Sequence, residues 1–493
     1  MTNVHAPSGF VTGRRATREW WALMAMVTVW AVVFGRLVYQ RHDRFGSQTF
    51  DLGIFDQAAW LISRGGDLFI SVRGLDLLGH HANLGLFLLA PFYRLGAGPH
   101  FINLLQVASL ALGAVPIFLL ARDRLASARL ALVPAGAYLL HPALGFFAWE
   151  TFHPDVMAIT PLFFAWWLAR RERWGWFAAS LVYAVCWKED VALAAVVLGV
   201  VVLFRGHRRI GLVTTGLAVA WFLFVNRVLL PGISGEAFYD HLFNSLGDSP
   251  WEIATTLLLH PTRILRALGT PDARTYVWQM MAPFAFMPVL APAAFGLGAP
   301  QFLLNVVSEA GFTRSIAYHF SAVPLAAMTL ATVEAVAFLG RRPVVRRLLA
   351  GALTATSLTG AVLWGVSPVG REYDKGWWPL EADARQASKQ QAVALPPADA
   401  PVSATYEFAP HLTHRRAIYD WPNPWVPTNW GLHNEGTPDP AVVQWLVVDR
   451  RLVGSSADLL ARLLGGGEFE VVFDRDDIVV GRRVGSGPSP GAR

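Results

Sequence analysis

The sequence predicts an α-helical polytopic membrane protein that carries a small α/β domain towards its C-terminal end. Three observations lead there. Of 493 residues, 54% are hydrophobic and only 15% are charged, whereas a soluble domain carries roughly 25% charged residues. Apolar runs alternate with short arginine clusters, the pattern of cytoplasmic loops between spans. From Ser367 the apolar runs shorten and turn residues multiply, as in a folded domain outside the bilayer. The net charge of +6 is carried by the loop arginines, so no nucleic-acid partner is expected. Cys186 is the single cysteine, which excludes an intrachain disulfide and a cysteine-based metal site.

In chain order, residues 1–19 are polar and basic, with Arg14, Arg15 and Arg18, and read as a cytoplasmic tail. Trp20 to Tyr39 follows without a small-residue cleavage signal. It reads as an uncleaved signal-anchor, because about twenty apolar residues cross a bilayer. The region 20–366 is then a transmembrane domain of about eleven spans, oriented by its arginines. Residues 40–98 form a first outer loop, in which His81 to Leu95 is interrupted by Pro91 and Arg94 and is expected to be re-entrant or interfacial. His100 to Ala121, Arg129 to Trp149, Pro154 to Ala169, Trp174 to Trp187, Val191 to Phe204 and Ile210 to Leu230 follow as spans. Arg122, Arg124, Arg170, Arg171, Arg205, Arg208 and Arg209 mark their cytoplasmic ends. Residues 231–275 are expected as a second outer loop. Tyr276 to Ala294 and Phe295 to Val307 read as a hairpin, and Ile316 to Leu339 and Leu348 to Val366 as the last two spans.

The segment 367–483 is expected outside the cytoplasm. Glu381 to Ala394 and Asp458 to Leu464 read as helices. Val402 to Tyr406, Ala417 to Tyr419 and Gln444 to Asp449 read as short strands. Phe469 to Phe473 and Ile478 to Val480 flank Asp474-Arg475-Asp476-Asp477, a hairpin signal. Residues 484–493 read as a disordered tail.

Thr49 to Gly66, TFDLGIFDQAAWLISRGG, is the stretch around which a site is expected. Asp51 and Asp56 form a polar edge on an apolar helix too short and too charged to span. Such a helix lies in the membrane interface. The competing reading makes Asp51 an ordinary N-cap, a position Asp favours. On the expected topology, further ionisable residues gather on the same outer face. They are His80 and His81, Glu150, His153 and Asp155, then Lys188, Glu189 and Asp190, and His319 near a span end. Ionisable groups at membrane depth are costly and default to functional hypotheses. Each also has a plainer reading. Pro154 fits the first helical position, which would make His153 a turn residue, and Lys188-Glu189-Asp190 fits a solvated turn. The close spacing of His153 and Asp155 also offers ligand types for a divalent metal ion, the one cofactor the residues suggest.

FDLGIFDQAAW, HHANLGLFLLAPFYRL, ETFHPD and WKED occur in that order. With them the chain resembles a bacterial integral-membrane family known as domain of unknown function 2079, itself related to GT-C type membrane glycosyltransferases. The resemblance implies a GT-C-like fold and a transferase that takes sugar from a polyprenyl-phosphate donor at the outer face of the cell membrane. It implies an acid of the first outer loop as general base. Asp51 matches that place, with Leu52 where many relatives carry a second acid, so Asp56 stands as the alternative. His80, His81, Lys188, Arg314 and His319 are implied as donor- or phosphate-binding, with Glu150, Glu189 and Asp190 in acceptor or supporting roles. Membrane lipid and the lipid-linked sugar are the implied partners. Two other classes compete: a transporter or flippase, which would show inverted repeats and broken midplane helices, and a non-catalytic scaffold, which needs no cluster of acids and histidines.

Overall fold

The computed structural model describes residues 15–235, 242–243, 245–247, 249–432 and 435–485. Most of the expected N-terminal tail, 1–14, and most of the expected C-terminal tail, 486–493, lie outside the described residues. The protein is an α-helical polytopic membrane protein with a small C-terminal α/β domain. Among the described residues, four segments have the length and apolar character to cross a bilayer: Arg18–Asp43, Pro99–Leu125, Arg208–Ser234 and His319–Leu339. A fifth is bent by 45° between Ala128–Leu140 and Pro142–Glu150. The bend falls at His141-Pro142, where a proline can start a helix but cannot continue one.

The other expected spans are shorter or broken. Trp174–Val185 and Val191–Phe204 are apolar helices of 12 and 14 residues. The hairpin expected over 276–307 is corrected by the structure. Pro271–Met281 ends in 3₁₀ turns at Ala282–Phe284 and Met287–Leu290, and Ala299–Val307 has only nine residues. Pro283, Pro288 and Pro292 withdraw backbone donors there, and Ala285 and Phe286 both take positive φ. The stretch expected as loop 231–275 includes the helices Pro250–Leu259 and Pro261–Leu268.

The first outer-loop helix is also shorter than its pattern suggested, running Ile54–Ser63. Asp51 precedes it in a kinked turn, at φ 76° and ψ −95°. It does not cap the helix; Gly53 occupies the cap position without a side-chain bond. The N-cap reading of Asp51 is therefore corrected.

A two-stranded ribbon, β1 (Phe69–Ile70) and β2 (Leu75–Asp76), follows this helix. The C-terminal domain holds β3 (Val402–Ala404), β4 (Ile418–Asp420), β5 (Trp445–Asp449), β6 (Phe469–Arg475) and β7 (Ile478–Arg483) in the order β4-β3-β5-β7-β6. β3 pairs in parallel with both β4 and β5, while β7 pairs antiparallel with β5 and β6. Asp476 and Asp477 take φ of 53° and 63°, the two positive values that a two-residue hairpin turn requires. One continuous apolar core joins this sheet to the segment 45–102. It contains Leu52, Phe55, Leu61 and Leu86 together with Val402, Ile418, Val447 and Val480. That burial fastens the α/β domain over the 49–63 turn and helix.

Candidate functional site

The site is assembled from ends of helices that are distant in sequence. Gln106 and Asn103, on Pro99–Leu112, fix the 151–153 turn. Gln106 Nε2 donates to the carbonyls of Phe147 and Thr151 at 2.8 and 2.6 Å. The backbone N–H groups of Phe152 and His153 donate to Asn103 Oδ1 and Gln106 Oε1 at 2.9 and 2.7 Å. Thr151 is held there at φ 78°. Two buried amide side chains thus satisfy a backbone that has left the helix, where unpaired groups would be costly.

His153 is the hub. Its Nδ1 lies 2.6 Å from Asp155 Oδ1 and its Nε2 3.7 Å from Asp51 Oδ1. Its ring stacks on His319 with centroids 3.3 Å apart and planes within 9°. His319 Nδ1 lies 2.7 Å from Glu150 Oε1, and the His319 backbone N–H donates to Glu150 Oε2 at 2.6 Å. Lys188 Nζ stands 3.4 Å from Asp155 and 3.8 Å from Asp190. Glu189 turns the other way. It lies 2.8 Å from His81 Nδ1 and accepts the Ala82 N–H at 3.0 Å. This joint depends on Gly85, whose N–H donates to Cys186 O at 2.7 Å. A Cβ at Gly85 would stand 2.4 Å from the Trp187 ring.

Asp51 differs from its neighbours in being open. Among the described residues, no hydrogen bond reaches its carboxylate, and a quarter of its side chain remains exposed. Desolvation pushes its pKa up to about 7, with Glu150 and Asp155 adding to the rise and His153 and Arg41 opposing it. A non-glycine residue at this φ costs about 1–3 kcal/mol and persists only where its surroundings enforce it. For Asp155 burial disfavours the charged form, but His319, Lys188 and His153 together hold its pKa well below the usual carboxylate range. Burial likewise works against Lys188, and the Asp155, Asp190 and Glu189 carboxylates raise it on balance. Burial pushes Asp190 up to about 6, against the pull of Lys188.

The remaining expected residues fall into place separately. Asp56 is fully buried. It accepts the Tyr93 and Thr413 hydroxyls at 2.5 Å each, with His414 Nε2 at 3.1 Å. Thr413 and His414 belong to the α/β domain, so Asp56 is a tether between the two parts. Both of its oxygens are occupied and its side chain is closed off from solvent, unlike that of Asp51. Arg314 stands apart and donates to the Ser308 carbonyl. The His80 ring lies tilted by 45° against that of His81, with centroids 4.3 Å apart.

Residues that sequence reasoning missed surround Asp51. Arg41 contributes a positive charge near it and stacks over Trp149 at 4.5 Å. Tyr406 packs its ring 5.7 Å from Phe50, and its carbonyl accepts the Thr49 hydroxyl. Asp420, at the end of β4, keeps one buried carboxylate oxygen without a hydrogen-bond partner. Desolvation lifts its pKa to about 7 against the Thr49 hydroxyl, which lowers it. No local pattern in the sequence marks Tyr406 and Asp420, because the α/β domain brings them to the 49–53 turn, whereas Arg41 comes from the last turn of the helix Arg15–Asp43.

His153, Asp155 and His319 place ligand atoms within 4.8 Å of one another, a donor set that zinc accepts. As arranged, the three do not fit a tetrahedral ion. The imidazole planes are parallel and 3.3 Å apart, so their lone pairs run side by side and do not converge. The Lys188 ammonium already neutralises Asp155.

Beside Lys188 opens a cavity of about 860 Å³. Leu193, Phe222, Leu257 and Leu304 are among its apolar walls, and Lys188, Asp190 and Arg227 supply charge. The arrangement is a half-open carboxylate, a buried acid–histidine relay and a cation at the mouth of an apolar cavity. It sits in the helical body of a polytopic membrane protein. The chain belongs to the family described as predicted membrane protein (DUF2079), which matches residues 41–480. It is similar in structure to ArnT from Cupriavidus metallidurans bound to undecaprenyl phosphate, with a TM-score of 0.56 and 15% identity. That match covers 96% of this chain and 100% of the other. The apo state of the same protein gives 0.55 and 16%, with the same coverage. No curated protein matches the chain.

Proposed function

We propose that the protein transfers a sugar from a polyprenyl-phosphate donor to an acceptor hydroxyl at the outer face of the cell membrane, with Asp51 as general base. The observation that carries this reading is the contrast around Asp51. Its carboxylate is a quarter exposed and accepts no hydrogen bond among the described residues, whereas Glu150, Asp155 and Glu189 beside it are buried and each have bonded partners. A pKa of about 7 suits a base working near neutral pH.

In this reading the apolar cavity receives the prenyl chain, and Lys188 and Arg227 face the phosphate. The acceptor enters from the open side of Asp51, between the 49–53 turn and the α/β domain. Its oxygen attacks the anomeric carbon while the bond from that carbon to the phosphate oxygen breaks. Asp51 takes the hydroxyl proton, and Lys188 stabilises the charge that collects on the departing polyprenyl phosphate. His153 supports the charge of Asp51 and is itself held by Asp155. The similarity to a solved protein bound to undecaprenyl phosphate supports this class of donor.

The test is a lipid-linked sugar transfer assay in membranes containing wild-type protein or Asp51→Asn. Asn keeps the shape and tolerates positive φ. Transfer should fall roughly 10²–10⁴-fold, the worth of a general base. Undiminished transfer would remove Asp51 from the mechanism.

A further inference from the structure

Four helical segments that begin at or near the Asp51 site end together at a second charged cluster. They are Pro99–Leu125, Ile159–Arg170, Val191–Phe204 and His319–Leu339. Ile159–Arg170 and Val191–Phe204 span roughly 20 Å each, and His319–Leu339 roughly 30 Å, at about 1.5 Å per residue. Glu334 sits at the far end, almost wholly buried, and its carboxylate is saturated. Arg124 Nε donates to it at 2.8 Å, Trp166 Nε1 at 3.1 Å, and Arg170 lies 3.1 Å away. Arg205, just past Val191–Phe204, stacks over Trp166 at 4.7 Å and faces Arg170, Glu334 and Arg124. Three guanidinium groups therefore share one carboxylate, 3 − 1, a net charge of +2. The neighbouring Arg171 has its own counter-ion, Asp123, at 2.8 Å, and does not offset the excess.

Loop arginines that merely orient a membrane protein stay dispersed and hydrated. This set is gathered around a buried acid and braced against Trp166, which is itself fully buried. The geometry fixes the guanidinium planes and leaves most of their N–H groups free of the Glu334 oxygens, which are already fully used. Planar, pre-organised guanidinium groups are matched to phosphate oxygens. The exposed Arg205 lies just past the end of the apolar helix Val191–Phe204.

We propose that Arg124, Arg170 and Arg205 form an anion site for a phosphate group, that of an anionic phospholipid headgroup, on the membrane face opposite Asp51. Glu334 and Trp166 hold the three cations in place. The lipid phosphodiester, with one negative charge, offsets part of the charge that Glu334 leaves uncompensated. It anchors the far ends of the helices whose near ends carry His153, Lys188 and His319.

The test uses the full chain purified in detergent and titrated with dioleoylphosphatidylglycerol, dioleoylphosphatidylcholine or inorganic phosphate. Retained lipid is counted by native mass spectrometry and the melting temperature is followed. Phosphatidylglycerol should be retained in preference to phosphatidylcholine and should raise the melting temperature. Arg205→Gln leaves Glu334 its three donors, so the variant should fold. It should weaken phosphatidylglycerol binding about fivefold, the worth of one basic residue at an anionic surface. Arg341→Gln removes a basic residue that stacks on Phe338, outside the cluster, and should leave binding unchanged. Competition by inorganic phosphate would make the phosphate group alone sufficient, and its failure to compete would show that the diacyl anchor contributes. Equal retention of both lipids, or equal weakening by Arg205→Gln and Arg341→Gln, would overturn the site.

Discussion

Asp51 and Asp56 lie five positions apart in one outer-loop segment, and the fold treats them in opposite ways. Asp51 stands in a kinked turn at φ 76°, open to one side and free of hydrogen bonds among the described residues. Asp56 lies one helical turn further on, completely enclosed by Tyr93, Thr413 and His414. A carboxylate whose two oxygens each accept a hydroxyl and which is closed off from solvent is out of reach of an incoming substrate. A carboxylate that is desolvated, strained and unbonded is ready to take a proton. Residue type is the same; chemistry follows from what the neighbours satisfy.

The comparison can be broken most severely at its supporting cluster. Lys188→Met leaves Asp155 and Asp190 buried without their cation. Breaking a buried pair in this way costs about 3–5 kcal/mol, so a drop of that size in unfolding free energy is expected in detergent. Wild-type melting would show that Lys188 is a solvated turn residue. A smaller loss, about 1–3 kcal/mol, is expected for Asp56→Asn, which deprives the Tyr93 or Thr413 hydroxyl of an acceptor. Limited proteolysis should then release the α/β domain more readily than in wild type.

Protonation sharpens the contrast further. Asp51 must be ionised to act, so transfer should fall about tenfold per pH unit below about 7, and a flat profile would speak against it. Its effect on stability runs the other way. A folded pKa of about 7 against an ordinary value of 3.8 means that the folded state binds the proton more tightly. The stability this provides is fully present below pH 3.8 and is lost as pH rises towards 7. Melting of Asp51→Asn should lack this component across that window. The smallest expected effect is that of a chelator: the parallel imidazoles of His153 and His319 predict that EDTA leaves transfer unchanged.

The sequence carried the class of fold clearly, because apolar runs and arginine clusters are local signals. The Asp476-Asp477 turn and the strand pairs around it were legible for the same reason. The broken region 282–292 was not, since periodicity averages over three prolines that each withdraw a donor. The site was legible as a set of residues and illegible as a geometry. His319 meets Glu150 across 169 positions, and Thr413 meets Asp56 across 357. Nothing local in FDLGIFDQ states that its first acid is open while its second is sealed beneath a distant domain. Asp420 and Tyr406 were missed because they reach Asp51 only through that domain's docking.

The most direct measurement sets Asp51→Asn and Asp56→Asn side by side, with lipid-linked sugar transfer and thermal melting followed on the same preparations. The account predicts a crossed result. Asp51→Asn should lose transfer and keep its melting temperature, whereas Asp56→Asn should melt lower and, at a temperature where it remains folded, still transfer. Full transfer by Asp51→Asn, or loss of transfer by a well-folded Asp56→Asn, would contradict the assignment of Asp51 as the base.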